Sequence, residues 1–153
     1  MRALLILLLT LGLFVTVHAA DAVSGRVIKV LPFLVDLKGR IALSPSLYDR
    51  DAYQAQLRQH TNQVSAMRYD VQWSAKHAGD AKLQLRLELR GLGEGNTPKF
   101  KTLETEVTPG FFSHWTQFTL DGEEYRKFGA VTAWRATLWA DDQMVGEHKS
   151  FLW

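Results

Sequence analysis

The chain of 153 residues contains no cysteine, which excludes disulfides, thiol nucleophiles and thiolate metal sites. Secreted eukaryotic domains of this size commonly carry disulfides, so their absence favours a protein of the bacterial cell envelope. The formal net charge is only +2, and no basic cluster indicates a nucleic-acid partner.

The N-terminus has the features of a secretory signal peptide. Arg2 precedes an uncharged apolar stretch from Ala3 to Ala20, and Val17-His18-Ala19 fits the small-residue cleavage pattern. The sequence therefore predicts a signal peptide over 1–19, cleavage after Ala19, and a periplasmic or secreted protein without stable membrane insertion. The alternative is an uncleaved anchor, although the stretch is slightly short for a span of about 20 apolar residues.

The rest of the chain alternates between apolar and polar residues, as β-strands with one buried face do. The alternation is clearest over Met67–Trp73 and over Leu83–Arg90. A short polar loop with a glycine joins the two runs, so the pattern predicts a β-hairpin.

Further strands are predicted on both sides of that pair, separated by turn residues. Pro32 cannot donate to a strand ladder, so its segment is predicted to be an edge strand or one that switches sheets. The polar centre of the last strand also suits an edge. These further strands cover residues 27–31, 33–37, 100–107, 115–120, 131–139 and 145–152.

About seven to eight short strands predict an all-β sandwich, with residues 20–153 as one domain. The arrangement resembles the immunoglobulin-like and fibronectin type III-like sandwiches, and Asp121-Gly-Glu-Glu-Tyr125 resembles their tyrosine corner. The resemblance implies an architecture and no particular activity, because that fold hosts many functions.

One segment has helical signals instead. Ser46 and Asp49 form a capping-box pattern, which predicts a short α-helix over about 47–59. Because a helix turns 100° per residue, Asp49 and Asp51 would point away from each other and could not share a metal ion.

The apolar residues of this helix fall on two faces. Tyr48, Ala52 and Ala55 form one narrow stripe, whereas Tyr53 and Leu57 lie nearly opposite. A surface helix usually has a single stripe. The split predicts a helix that packs on two sides, or one whose Tyr53 and Leu57 face awaits a partner.

No motif in the sequence carries recognisable chemistry. The glycines of residues 91–96 are not followed by a helix, as a phosphate-binding loop requires. His60, His77, His114 and His148 have no metal-ligand spacing. We therefore predict no metal, no cofactor, no catalytic residues and no enzymatic activity, with a small hydrolase of dispersed catalytic residues as an alternative.

Aromatic residues supply the candidate binding site. The chain has five Trp, of which Trp73 and Trp134 are predicted to be core residues on apolar faces. Trp115 and Trp139 alternate with polar residues, and Phe111 and Phe112 lie in a Pro-Gly loop. Exposed aromatic side chains bind protein partners or stack on sugars, so the candidate binding residues are Trp115, Trp139, Phe111, Phe112, Tyr53 and Leu57.

The sequence thus predicts an exported, non-enzymatic interaction module that binds a protein partner of the bacterial cell envelope. One alternative is a carbohydrate-binding module that uses the exposed aromatics on an envelope polysaccharide. Another is a small outer-membrane β-barrel, since the chain ends on an aromatic residue after an alternating strand.

Overall fold

A computed structural model describes residues 22–153, and the predicted signal peptide lies outside them. Seven antiparallel strands form two sheets, one of three strands in the order β1-β2-β5 and one of four in the order β4-β3-β6-β7. This confirms a mostly β, sandwich-like fold. The strands are β1 Ser24–Asp36, β2 Val64–Lys76, β3 Leu83–Leu92, β4 Pro98–Val107, β5 His114–Asp121, β6 Ala130–Ala140 and β7 Gln143–Lys149.

The core lies between the two sheets, where the inward positions of the alternating strands meet. Leu85, Leu87 and Leu89 on β3 are almost fully buried, as are Tyr69 and Val71 on β2. Alternation places every second residue on the same face of a strand, and burial of these apolar side chains is the main term that stabilises the sandwich.

The predicted hairpin between the two clearest strands is wrong. β2 pairs with β1 and β5, whereas β3 pairs with β4 and β6, so the two runs lie in different sheets and face each other across the core. Both runs have an apolar inner face, and alternation identifies a buried face without identifying the neighbouring strand.

Three further details differ from the predicted elements. The segments around Pro32 form one continuous edge strand, β1, in place of two strands. The last strand ends at Lys149, after which residues 150–153 turn back. A second helix, α2 (Gly122–Phe128), connects β5 to β6 and was not predicted.

The predicted helix is confirmed as α1, Leu47–Gln59. The Ser46 hydroxyl accepts a hydrogen bond from the Asp49 amide at 3.4 Å, as an N-cap does. The Asp49 carboxylate does not close the capping box, because it accepts a 2.5 Å hydrogen bond from the Ser44 hydroxyl instead.

The sandwich has two different ends. The loop end comprises residues 77–82, 108–113 and 141–142, and it lies where β2 finishes and β5 begins. The helix end comprises residues 37–63 and 122–129 and contains α1 and α2.

The two long sides of the sandwich also differ. On one side β1 and β7 come so close that a Cβ on Gly146 would lie 2.7 Å from the Arg26 Cα atom. On the other side β4 and β5, the remaining edge strands, belong to different sheets. The chain crosses between these two strands through residues 108–113, and this loop carries the exposed aromatics.

Candidate interaction surface

The loop between β4 and β5 presents two large apolar side chains to solvent. Phe111 is 93% exposed and Phe112 is 76% exposed. Their rings meet edge to face, with centroids 5.0 Å apart and an interplanar angle of 82°, a favourable geometry for an aromatic pair. The two phenylalanines therefore form a protruding apolar tip.

The end of this loop is fastened to β2 by side-chain contacts. Gln72 Nε2 donates a hydrogen bond to the Ser113 hydroxyl at 3.0 Å. The buried indole of Trp73 donates to Thr116 Oγ1 at 2.8 Å, and its ring lies 5.3 Å from the ring of His114. These contacts fix the loop where it enters β5.

A glycine lets the loop lie against the imidazole of His114. A Cβ on Gly110 would be 2.5 Å from His114 Nε2, so any larger residue there would displace the ring. That nitrogen is buried and has no hydrogen-bond partner. His114 therefore packs as a flat ring between Trp73 and the loop.

An open cleft of about 540 Å³ lies beside Phe111, between the loop and the end of β2. A cleft of this size accommodates the side chain of a protein partner or a small ligand. Much of its wall is apolar, and it is lined by Ala75, Lys76, His77, Ala78, Gly79, Pro109, Gly110 and Phe111.

Trp115 continues the apolar tip onto the outer face of the three-stranded sheet. It lies opposite Gln72 on β2 and is 51% exposed. Gln117 and Thr119, which alternate with it on the same face, are exposed. We call Phe111, Phe112, Trp115 and the adjoining cleft the aromatic surface.

Trp139 lies elsewhere in the molecule. It is half-buried on the outer face of the four-stranded sheet, where the Arg86 guanidinium lies 5.0 Å from its ring centroid. Its indole nitrogen donates to Thr137 Oγ1 at 2.9 Å. Because Trp115 and Trp139 lie on opposite outer faces, the predicted aromatic residues do not form one surface.

Tyr53 and Leu57 are interior residues, only 7% and 0% exposed. The Tyr53 hydroxyl donates a 2.7 Å hydrogen bond to the carboxylate of Asp36, which also accepts from Arg40 at 2.8 Å. Burial by itself would raise the pKa of the Asp36 carboxyl, but the hydrogen bonds from Arg40, Tyr53 and Lys38 lower this pKa well below its ordinary range. This face of α1 holds the helix to β1 and is not available to a partner, whereas the Tyr48 stripe is exposed.

A tryptophan–arginine cluster that no sequence pattern predicts lies at the helix end of the four-stranded sheet. The chain turn after β7 brings the Trp153 ring under two guanidinium groups, those of Arg90 at 3.9 Å and Arg135 at 4.9 Å from its centroid. Arg135 also binds Glu88 at 2.7 Å. The cation–π contacts fasten the turn onto the sheet.

Within residues 22–153, no group of three or more His, Asp or Glu side chains is arranged to hold a metal ion. Neither helix in this range has the length and apolar character that crossing a bilayer requires. No protein-family model matches the chain, and a search of curated proteins found no relative.

Proposed function

We propose that the protein is an exported, non-enzymatic interaction module that binds a protein partner in the bacterial cell envelope through the aromatic surface. The observation that carries this proposal is the exposure of Phe111 and Phe112 on a loop that hydrogen bonds and ring packing hold to β2. A large apolar tip that the fold keeps in water is typical of an interaction site.

Anchoring of the loop favours binding. A loop that is already ordered loses little conformational entropy when a partner covers it. Aromatic side chains bury a large area for few rotatable bonds, and they often contribute most of the binding energy at protein interfaces. We expect Phe111 and Phe112 to enter an apolar pocket of the partner, while the cleft beside them receives one of its side chains.

A protein partner fits this surface better than a polysaccharide. A linear glycan stacks on flat rings presented in a row, but Phe111 and Phe112 meet at 82°. Trp115 and Trp139 lie on opposite faces of the sandwich. The aromatic surface is therefore a projecting tip beside a cleft, a shape that complements a pocket.

The export and the finer fold class belong to the same proposal. The export rests on the predicted signal peptide over 1–19. The immunoglobulin/fibronectin III-like class is supported by seven antiparallel strands in a three-plus-four sandwich. The seven-strand immunoglobulin arrangement places its first, second, fourth and fifth strands in one sheet. Here β4 pairs with β3 in the other sheet, so the distribution of strands between the sheets differs from that arrangement at this one strand.

Site-specific photocrosslinking in cells tests the function. A photoreactive phenylalanine analogue replaces Phe112 in one variant and Tyr48 in the control. Tyr48 is 83% exposed and lies at the helix end, away from the aromatic surface. We expect the Phe112 variant to form a discrete adduct with one envelope protein and the Tyr48 variant to form none.

A second substitution makes the test specific to the surface. Phe111→Ala, added to the variant with the photoreactive residue at position 112, should remove most of the adduct, because it deletes one of the two aromatic rings of the apolar tip. Identical adducts from both photoreactive positions, or an adduct that survives Phe111→Ala, would contradict the proposal. Retention of the purified protein on a polysaccharide array, lost with Trp115→Ala, would favour the carbohydrate-binding alternative.

A further inference from the structure

Four strands lie at the edges of the two sheets: β1 and β5 in one, β4 and β7 in the other. An edge strand exposes unpaired backbone N–H and C=O groups, which another strand can bind. Natural proteins usually protect such edges with charged residues, proline or a covering segment.

Three of the four edges are protected in this way. Gln54 of α1 and the close approach of β7 cover β1, which also carries Pro32. The same approach covers β7. β4 is protected by its composition, since it contains Pro98, Lys99, Lys101, Glu104 and Glu106.

β5 is the least protected edge, because its only carboxylate, Lys or Arg side chain is that of Asp121 at its last position. Its segment Trp115–Leu120 contains no charged residue and no proline, and consists largely of aromatic and β-branched residues that favour strands. Within residues 22–153 no strand pairs with its outer edge. This edge is a ready template for strand addition.

The pairing pattern identifies which backbone groups face outward. Both backbone groups of Leu34 bind the Gln54 side chain, so they point away from β2. Met67, opposite Leu34, therefore directs its backbone groups toward β5, where it pairs with Leu120. Hydrogen-bonded pairs alternate along an antiparallel ladder, so the groups that face outward from β5 are those of Trp115, Gln117, Thr119 and, at its last position, Asp121.

We propose that a second copy of this chain binds this edge, strand against strand. The two β5 strands run antiparallel about a two-fold axis, with Gln117 opposite Gln117 of the second copy and Trp115 opposite its Thr119. The two three-stranded sheets then join into a continuous six-stranded sheet.

The composition and spacing of β5 favour a second copy as the occupant. A two-fold contact brings a residue on its axis directly opposite its own equivalent, so a charge there would be repelled, and Trp115–Leu120 contains no charged residue. The three uncharged outward-facing residues are symmetric about Gln117, so all of them pair in this register, each pair exchanging two backbone hydrogen bonds. A shift by two residues toward the end of β5 would place the charged Asp121, the residue that precedes α2, opposite Trp115. The half-exposed Trp115 ring gains a neighbour in Thr119 of the second copy.

This inference does not rest on the proposed function, because Phe111, Phe112 and the cleft lie before β5 and outside the paired segment, and only Trp115 belongs to both surfaces. The absence of cysteine permits a direct test by thiol crosslinking. Gln117→Cys should give a covalent dimer with a short bifunctional thiol reagent, since directly opposed Cβ atoms lie about 5 Å apart.

Thr119→Cys alone should give no dimer, because its equivalent lies four residues along the strand, about 14 Å away. A mixture of Trp115→Cys and Thr119→Cys proteins should crosslink. Thr102→Cys on the exposed edge strand β4 is the surface control and should remain monomeric. Crosslinking of Thr119→Cys alone in place of Gln117→Cys would overturn the register.

Sedimentation of the unmodified protein gives the second readout. We expect a concentration-dependent dimer that shifts to monomer with Gln117→Lys, because the substitution places like charges opposite each other. Gln117 is exposed, so the variant should fold, and Thr102→Lys should leave the distribution unchanged. A monomer at every concentration, or crosslinks from Gln117→Cys only to a different protein, would overturn the proposal.

Discussion

The side-chain amide of Gln54 binds the backbone of Leu34 as a neighbouring strand would. Leu34 N donates to Gln54 Oε1 at 2.8 Å, and Gln54 Nε2 donates to Leu34 O at 2.8 Å. The same nitrogen also donates to the carbonyl of Ile41 at 2.9 Å. One buried amide therefore ties α1 to the outer edge of β1 and to the loop between them.

Gln54→Ala should destabilise the protein by about 2 kcal/mol, because it leaves partly buried backbone groups without partners. The measurement is urea unfolding monitored by tryptophan fluorescence. Gln56→Ala on the exposed face of the same helix is the matched control and should change stability by less than about 0.5 kcal/mol. Equal effects of the two substitutions would show that the Leu34 contact contributes little.

Asp36→Asn should destabilise the protein near neutral pH but much less in acid. The folded-state pKa of Asp36 lies below its ordinary value of 3.8. The carboxylate therefore contributes stability that is fully present above that value and is lost as the pH falls from there toward the lower folded-state pKa. The free energy of unfolding of the two proteins, compared from about pH 7 to about pH 3, should differ by a constant amount above about pH 5 and by a smaller amount at the acid end.

Asp51→Asn is the control for that titration. Its carboxylate pairs with Arg50 but is largely exposed, and exposed ion pairs contribute little. A gap between wild type and Asp36→Asn that stays constant over the whole pH range would contradict the assignment of the stabilisation to the ionised carboxylate.

Gly146→Ala should destabilise the sandwich more than Gly25→Ala. A Cβ on Gly146 would meet backbone atoms, 2.7 Å from the Arg26 Cα atom and 3.0 Å from its carbonyl carbon. A Cβ on Gly25 would meet side chains, 2.6 Å from Val145 Cγ2 and 2.9 Å from Leu138 Cδ2, which can shift more readily than backbone atoms. We expect a cost of about 1–3 kcal/mol for the first substitution, measured as a fall in the midpoint of thermal unfolding, and a smaller fall for the second.

The double substitution of Phe111 and Phe112 by alanine should leave the free energy of unfolding within about 0.5 kcal/mol of wild type, because both rings are exposed. Trp73→Phe should cost more, since it removes the buried indole N–H that binds Thr116. A large loss of stability from the double substitution would identify the two phenylalanines as structural residues.

Local features of the fold could be read from the sequence, whereas pairings between distant segments could not. The bounds of α1 follow from its own capping residues, and the exposure of Trp115 follows from alternation within one strand. The sheet to which β2 belongs depends on segments far along the chain. The same limit applies to the site, because Arg86 covers Trp139 and Asp36 buries Tyr53 through contacts that no local pattern encodes.

Among the sheet edges formed by residues 22–153, only that of β5 is open, and this limits how copies of the protein can associate. A fibre grows by strand addition only if every added unit offers a second free edge. Here β7 and Gln54 cover the edge of β1, charged residues protect the edge of β4, and the approach of β1 covers the edge of β7. Strand addition at β5 therefore ends after a single step, and the product is a closed pair with no open edge for a third copy.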